Sequence, residues 1–246
     1  MRPKKSLLII LLLLAVIIFS QSVGFAASFF DSLALGLEKD LGRSNYQSIT
    51  SEKTVVELPP AQANNLNDMF KRLVSKCSRR KELDFKLTVI KDDSVNAFAL
   101  PGGYVFVNTG LLSYVKSDGE LAGVIGHEIA HIDRKHSMDA IYRAVGLSFI
   151  IGLLLNNESD EKRREQMATL ASISLSLVQL GYSRGAEFEA DEYGVKFMQK
   201  AGYNKQDILN FWQRFLKQNG DNPSALALFS THPPTKDRIK RIEALP

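Results

Sequence analysis

The chain has 246 residues, and the 45% of them that are hydrophobic suit one compact domain with an N-terminal segment. Its formal charge of +4 at pH 7 falls to +1 once residues 1–26, with their three basic side chains, are set aside. This near-neutral balance argues against nucleic-acid binding driven by charge. The single cysteine, Cys77, excludes an internal disulfide, and we interpret it as a non-catalytic thiol.

Residues 1–26 have the organisation of an export signal. Basic residues precede 13 apolar residues from Leu7 to Phe19, and Gly24 and Ala26 supply small side chains for cleavage after Ala26. A membrane-spanning helix needs about 20 apolar residues, so this run is short. We expect a periplasmic or extracellular protein. The alternative is an uncleaved anchor on the outer face of the cytoplasmic membrane.

The next segment, residues 27–60, is predicted to hold a helix and a linker. Apolar residues recur at helical spacing in residues 29–41, whereas residues 42–60 are polar and end in two prolines. We interpret the polar stretch as a linker or extended arm. Residues 61–246 then form the main domain, beginning with a helix over residues 61–77.

Alternating apolar residues predict three strands, at residues 85–89, 96–100 and 104–108. The last two flank Pro101, Gly102 and Gly103, a sequence typical of a tight turn. Four residues of the third strand are predicted to pair with an extended peptide substrate: Tyr104, Val105, Phe106 and Val107. The alternative for them is an ordinary internal strand.

The pattern His127-Glu128-Ile129-Ala130-His131 carries the clearest chemistry. On a helix, His127 and His131 share one face, and both can bind a single zinc ion. Glu128 then flanks the metal, where it can accept a proton from water. The alternative is two unrelated histidines on an ordinary helix.

A helix around this pattern is predicted from its own residues. Ser117 and Glu120 form a capping box, and apolar residues follow at helical spacing. The helix is predicted to continue through His136, which is not expected to be a ligand because it lies off the face of His131.

Two apolar stretches, residues 144–155 and 167–180, follow this helix and are separated by a charged segment. At 1.5 Å per residue each is too short for a hydrocarbon core of about 30 Å, so we expect buried or cleft-flanking helices. Shallow insertion into a membrane is the alternative. Further helices are predicted at residues 187–201, 205–218 and 235–245.

A catalytic zinc site needs a third protein ligand and an open position. The dense acidic cluster downstream supplies the candidates, which are Glu187, Glu189, Asp191 and Glu192. Glu187 and Asp191 share a helix face, but spacing alone does not choose between Glu187 and Glu189. The alternative is a charged, solvated helix face.

The sequence resembles the zinc endopeptidases that include the type I CAAX prenyl protease, HtpX and BepA. The resemblance covers residues 61–246. It rests on the histidine motif, on residues 96–103, on Ser183 to Asp191, and on Ser230 to Pro234 with Arg238. It implies a compact, mostly helical α+β gluzincin domain with a small sheet beside the active-site helix. It also implies that Glu187 is the third ligand of one Zn²⁺ per chain. Asp191 is then the carboxylate that supports a ligand histidine.

Two further residues are interpreted with this site. His232 is predicted to donate to the oxyanion or to act as an inhibitory fourth ligand, with a turn histidine as the alternative. Arg238 is predicted to position a carboxylate or His232, and the alternative is a surface arginine. The sequence lacks the long membrane helices and the helical-repeat extension of some relatives, so prenylated substrates and adaptor contacts are not expected.

Together these features predict an exported zinc metalloendopeptidase that cleaves polypeptides, particularly unfolded or misassembled envelope proteins. The alternative is a non-catalytic, chaperone-like or scaffolding module with a structural zinc. Peripheral membrane contact stays open, and the sequence does not indicate an oligomeric state.

The export signal gives the first testable prediction. N-terminal sequencing of the mature protein should find a start at Ala27, because the small residues favour cleavage after Ala26. A mature chain that still begins within residues 1–26 would instead establish the anchored form.

Overall fold

A computed structural model shows a mostly helical α+β fold with a three-stranded sheet, which confirms the predicted fold class. It describes residues 5–155, 159–219, 232 and 236–246, with side chains from residue 29 onward apart from residues 147, 154, 155, 178–180 and 219. The helices are α1 (Lys5–Glu52), α2 (Pro60–Val74), α3 (Thr109–Tyr114), α4 (Asp118–Asp133), α5 (His136–Val145), α6 (Leu147–Leu155), α7 (Asp160–Leu180), α8 (Arg184–Lys200), α9 (Lys205–Asn219) and α10 (Lys236–Ala244). The strands are β1 (Lys86–Ile90), β2 (Ala97–Leu100) and β3 (Tyr104–Asn108).

Helix α1 extends into the stretch that was predicted to be a linker or extended arm. The polar stretch at residues 42–60 is helical as far as Glu52, and only residues 53–59 lie outside a helix. These polar residues form a helix because one of its faces packs on the sheet, where Tyr46 stacks on Tyr104 at a ring-centroid distance of 4.8 Å. Tertiary packing therefore determines the conformation of this stretch more than its composition does.

The three strands form a mixed sheet in the order β1-β3-β2. β3 is parallel to β1 and antiparallel to β2, and the rings of Phe98 and Phe106 stack across that second pair at 5.0 Å. The predicted tight turn is a short 3₁₀ turn at Pro101–Gly103. Gly102 has a φ of 78° there, in the left-handed region that favours glycine.

The central position of β3 contradicts the predicted substrate contact. Residues 104–107 pair with β1 on one side and with β2 on the other. A strand that is bonded on both edges has no row of backbone N–H and C=O groups left for a peptide. The prediction that Tyr104, Val105, Phe106 and Val107 bind substrate in this way is therefore wrong, and the alternative of an internal strand is confirmed.

Helix α4 lies at the centre of the domain, and its residues from Gly119 to Asp133 are all buried. It begins as predicted, because the Ser117 hydroxyl accepts a hydrogen bond from the Glu120 N–H at 3.2 Å. The Glu120 carboxylate also accepts a hydrogen bond from Arg214 of α9 at 2.6 Å. These contacts fix the start of the helix that carries the histidine pair.

Two glycines let α4 and α8 approach each other closely. A Cβ atom on Gly126 would lie 3.1 Å from the Gly194 carbonyl oxygen, and one on Gly194 would lie 2.9 Å from the Cα atom of His127. Gly126 lowers the helix propensity of α4, but it permits this contact. The close approach brings the acidic residues of α8 next to the histidines of α4.

The predicted continuation of α4 through His136 is wrong. The helix ends at Asp133, Lys135 adopts a left-handed φ of 58°, and α5 begins at His136. The chain changes direction at this turn, so His136 leaves the helical register of His131. The apolar stretch at residues 144–155 is likewise interrupted, at Gly146 with a φ of 80°.

The chain divides into two compact units, residues 1–38 and residues 39–246. Side chains of the predicted export signal lie outside the described residues, and the domain boundaries predicted at residues 26 and 60 stay predictions. In the part of the chain whose side chains are described, no helix combines the length and the apolar character needed to cross a membrane.

The contact between α4 and α8 gives a stability prediction. Gly194→Ala should lower the free energy of unfolding by about 1–3 kcal/mol, because its Cβ would press on the backbone of α4. Urea denaturation measures the change. The control is Gly185→Ala on the same helix, where a Cβ meets no atom within 4 Å and the change should stay below about 1 kcal/mol. Equal losses in both variants would contradict the prediction.

Candidate metal centre

The two histidines of α4 face the same point. His127 and His131 are both buried, and their Nε2 atoms are 3.0 Å apart. The rings meet edge to face, with centroids 4.7 Å apart. At most one proton fits between two ring nitrogens at this distance, so the arrangement suits a shared cation.

Helix α8 brings Glu187 to this pair. Its Oε2 atom lies 3.4 Å from Nε2 of His127, and its Oε1 atom lies 3.5 Å from Nε2 of His131. His232 completes the cluster, because its Nδ1 atom is 3.0 Å from Oε1 of Glu187 and 3.3 Å from Nε2 of His127. One ligand atom of each of these four buried residues lies within 4.8 Å of the others.

The chemistry of this donor set fits a divalent metal ion, since imidazole nitrogens with a carboxylate oxygen are typical ligands of zinc. The local charges point the same way. Burial alone would lower the pKa of His127, but Asp191 and Glu187 raise it to about 9. A site that stabilises positive charge on a buried imidazole also stabilises a bound cation, which must displace that proton.

Glu189, the ligand that spacing left as an alternative, lies outside the cluster. Its Oε1 atom accepts a hydrogen bond from Nε of Arg134 at 2.8 Å, and its Oε2 atom is 3.1 Å from Nε2 of His136. The side chain is 39% exposed. The structure therefore brings Glu187 rather than Glu189 to the histidine pair.

Asp191 and Arg238 support the cluster from behind. Asp191 lies 3.0 Å from Nδ1 of His127 and accepts two hydrogen bonds from Arg238, at 2.6 and 2.7 Å. Arg238 also lies 2.9 Å from Oε2 of Glu187 and donates to the His232 carbonyl oxygen at 3.1 Å. Only 2% of Arg238 is exposed, so the alternative of a surface arginine is wrong.

These contacts keep both carboxylates ionised. Burial would raise the pKa of Glu187 and of Asp191, but Arg238 and the adjacent histidines hold both pKa values below their usual range. A metal ligand must be deprotonated, and so must a carboxylate that supports a ligand histidine.

Glu128 lies beside the cluster rather than within it. Its side chain is buried, and its Oε1 atom is 3.4 Å from Nε2 of His232. Burial raises the pKa of this carboxyl group, although electrostatic interactions with His232 and His127 oppose the effect. A raised pKa moves the group towards neutrality, as suits a residue that takes up and releases a proton.

Tyr182 is a neighbour of the cluster that the sequence does not reveal. Its ring stacks on His131 with centroids 4.1 Å apart, and its hydroxyl is 2.6 Å from Oγ of Ser137. It lies in the short connection between α7 and α8. A lone tyrosine before a helix has no distinctive pattern, so only the fold identifies it.

Cys77 belongs to a separate network. Its Sγ atom is 2.9 Å from Oδ1 of Asp133, which also accepts hydrogen bonds from Ser78 and Arg79. Burial, together with this carboxylate, raises the pKa of the thiol. A buried, protonated thiol is a poor nucleophile, in keeping with the predicted non-catalytic role.

Comparison with known proteins places the chain in a family. The sequence profile of peptidase family M48 matches residues 60–245, about three quarters of the chain. The chain therefore belongs to peptidase family M48. This finding confirms the predicted resemblance to zinc endopeptidases and the assignment to the metallopeptidases.

Curated relatives agree with this assignment. The mitochondrial metalloendopeptidase OMA1 of Schizosaccharomyces pombe is 33% identical over 87% of this chain and 62% of its own length. OMA1 of Arabidopsis thaliana is 33% identical over 66% of this chain and 32% of its own. The beta-barrel assembly-enhancing protease of Escherichia coli is 26% identical over 85% of this chain and 43% of its own. The chain thus spans 32–62% of the length of these relatives.

The buried arginine gives a second stability prediction. Arg238→Met should destabilise the chelator-treated protein by about 3–5 kcal/mol, because it leaves two buried carboxylates without their shared partner. Urea denaturation again gives the value. Arg241→Met is the control, since Arg241 is exposed on the same helix with its guanidinium 4.0 Å from the ring centroid of Phe188, and its loss should cost less than about 1 kcal/mol. A small, equal effect of both changes would be inconsistent with the prediction.

Proposed function

We propose that this chain is a zinc-dependent endopeptidase in which His127, His131 and Glu187 hold one zinc ion. The observation that carries the proposal is the convergence of these three side chains on one point, with Glu128 beside it. Zinc bound there would supply Lewis acidity towards a peptide carbonyl and lower the pKa of water to about 7. Membership of a peptidase family supports peptide-bond hydrolysis as the reaction.

Glu128 is the proposed general base and acid. It would take a proton from the attacking water and deliver it to the leaving amine. Two properties support this role: the carboxylate lies next to the cluster without belonging to it, and burial raises its pKa. A structural metal site has no use for such a neighbour.

His232 has two proposed roles, which involve different ring nitrogens. As a fourth ligand, it would use Nδ1, the atom that faces His127 and Glu187. As a donor to the oxyanion, it would instead use the N–H of its other ring nitrogen, turned towards the substrate. The observed contacts favour the resting ligand, which substrate would then displace. Arg238 would position His232 through its carbonyl oxygen.

With β3 paired on both edges, the outer edge of β2 is the better candidate for pairing with a substrate backbone. β2 is an end strand of the described sheet. The backbone of its Ala99 lies close enough to the Glu128 carboxyl group to oppose the rise in its pKa. A peptide that pairs there would lie beside the general base. Recognition through main-chain hydrogen bonds would tolerate many substrate sequences.

Unfolded or misassembled exported proteins are the proposed substrates. An extended backbone is available only in chains that have not completed their folding, and the sequence of residues 1–26 suggests export to a periplasmic or extracellular space. One relative is named for enhancing beta-barrel assembly and others for mitochondria, so the compartment here rests on the N-terminal segment. Peripheral membrane contact through α6 or α7 stays a proposal.

A non-catalytic, chaperone-like module is the second candidate. It would need the metal only to hold α4 and α8 together. Glu128 argues against it, because burying a carboxylate beside the cluster is costly and contributes nothing to such a role.

Glu128→Gln should abolish cleavage of unfolded casein and leave zinc bound, because the change removes the base but no ligand. Peptide release and metal content are measured on the same preparation. Glu192→Gln is the matched control, since that carboxylate pairs with Lys196 on the surface of α8, and it should keep full activity. Casein cleavage by Glu128→Gln at the rate of the control would refute the role of the base.

Metal removal separates the two candidate functions. A chelator should stop casein cleavage, and added zinc should restore it, if the chain is an enzyme. A chain that contains zinc but cleaves no unfolded protein, with or without chelator, would support the chaperone-like module.

A further inference from the structure

Two successive side-chain contacts connect His131 to the protein surface. On the side away from the cluster, Nδ1 of His131 is 2.9 Å from Nδ1 of His136, and Nε2 of His136 is 3.1 Å from Oε2 of Glu189. Arg134 in turn donates to Oε1 of Glu189. His136 is 5% exposed, so its two ring nitrogens meet protein groups rather than bulk water.

Hydrogen-bonding rules assign the protons in this chain of contacts. Nε2 of His131 faces the other ligand atoms and must carry a lone pair to bind metal, so its proton is on Nδ1. That N–H donates to Nδ1 of His136, whose proton must then be on Nε2. This second N–H donates to the Glu189 carboxylate. Each contact then has one donor and one acceptor.

We infer that His136 and Glu189 are positioning residues for His131, which they hold in the tautomer and ring orientation that metal binding requires. The inference rests on the proposed function, in which His131 is a ligand. It also explains the turn at Lys135, since that turn brings His136 back against the ligand instead of carrying it away along α4.

The two ligand histidines of α4 would then both be supported by a carboxylate, one directly and one through another side chain. His127 contacts the carboxylate of Asp191 directly through Nδ1, at 3.0 Å. His131 reaches a carboxylate only through an intervening imidazole. Tyr182, stacked on the ring of His131, restricts rotation of that ring as well. Partners of this kind make a ligand more basic and fix its direction.

Zinc affinity is the readout that tests this inference, measured on zinc-loaded protein by competition with a chromogenic chelator. His136→Leu removes the acceptor and should weaken zinc binding by about 10–100-fold. His136→Asn keeps an acceptor near the position of Nδ1 and should recover most of that loss. Cobalt-substituted protein should show an altered ligand-field spectrum in the Leu variant and a spectrum near that of the wild type in the Asn variant.

Glu189→Ala tests the outer link at a partly exposed position. It should weaken zinc binding by about 3–10-fold, because His136 loses the group that fixes its tautomer. Its control is Glu192→Ala, which removes a neighbouring carboxylate of α8 that pairs only with Lys196 among the described contacts and should leave affinity unchanged.

The outcomes separate this inference from the proposed function. A wild-type chain that binds no zinc would defeat the proposed function itself. Wild-type zinc affinity in both His136→Leu and Glu189→Ala would overturn the inference while leaving the enzyme intact. Thermal unfolding of the metal-free variants shows whether His136→Leu folds, and if it does not, the comparison of Glu189→Ala with Glu192→Ala decides.

Discussion

The pairing of Arg238 with two buried carboxylates is the interaction on which the candidate metal centre depends. Glu187 and Asp191 lie on one face of α8, and both point into a region from which water is excluded. Two negative charges there would repel each other and would take up protons. Arg238 contacts both and also the backbone at His232, so a single guanidinium compensates the charge and ties the C-terminal helix to the centre.

The glycine contact between α4 and α8 sets the geometry that this charge pairing then maintains. With no Cβ atoms between them, the two helices bring a histidine face and a carboxylate face within direct contact. Each of the two histidines can then receive its own support, from α8 for His127 and from the turn after α4 for His131. Packing and electrostatics therefore act on the same few residues.

The sequence predicted those features of the fold and of the candidate site that depend only on neighbouring residues. The histidine pair, the start of α4 at Ser117 and the turn before β3 all follow from neighbouring residues. Glu187 and Glu189 could not be separated, because both lie on α8 and only its rotation against α4 decides which one faces the histidines. The position of β3 between its neighbours depends on a long crossover, and the left-handed Lys135 has no sequence signature. The contacts of Tyr182 and His136 with His131 depend on how these elements pack, so no local pattern predicts them.

The parts of the centre lie far apart along the chain, with His127 and His232 separated by 105 positions. Synthesis therefore produces the histidine helix well before Arg238, the residue that compensates the buried carboxylates. A partly synthesised chain thus carries the histidines but no assembled cluster. The cluster is complete only after the segment that carries His232 and Arg238 has been made and has packed against α8.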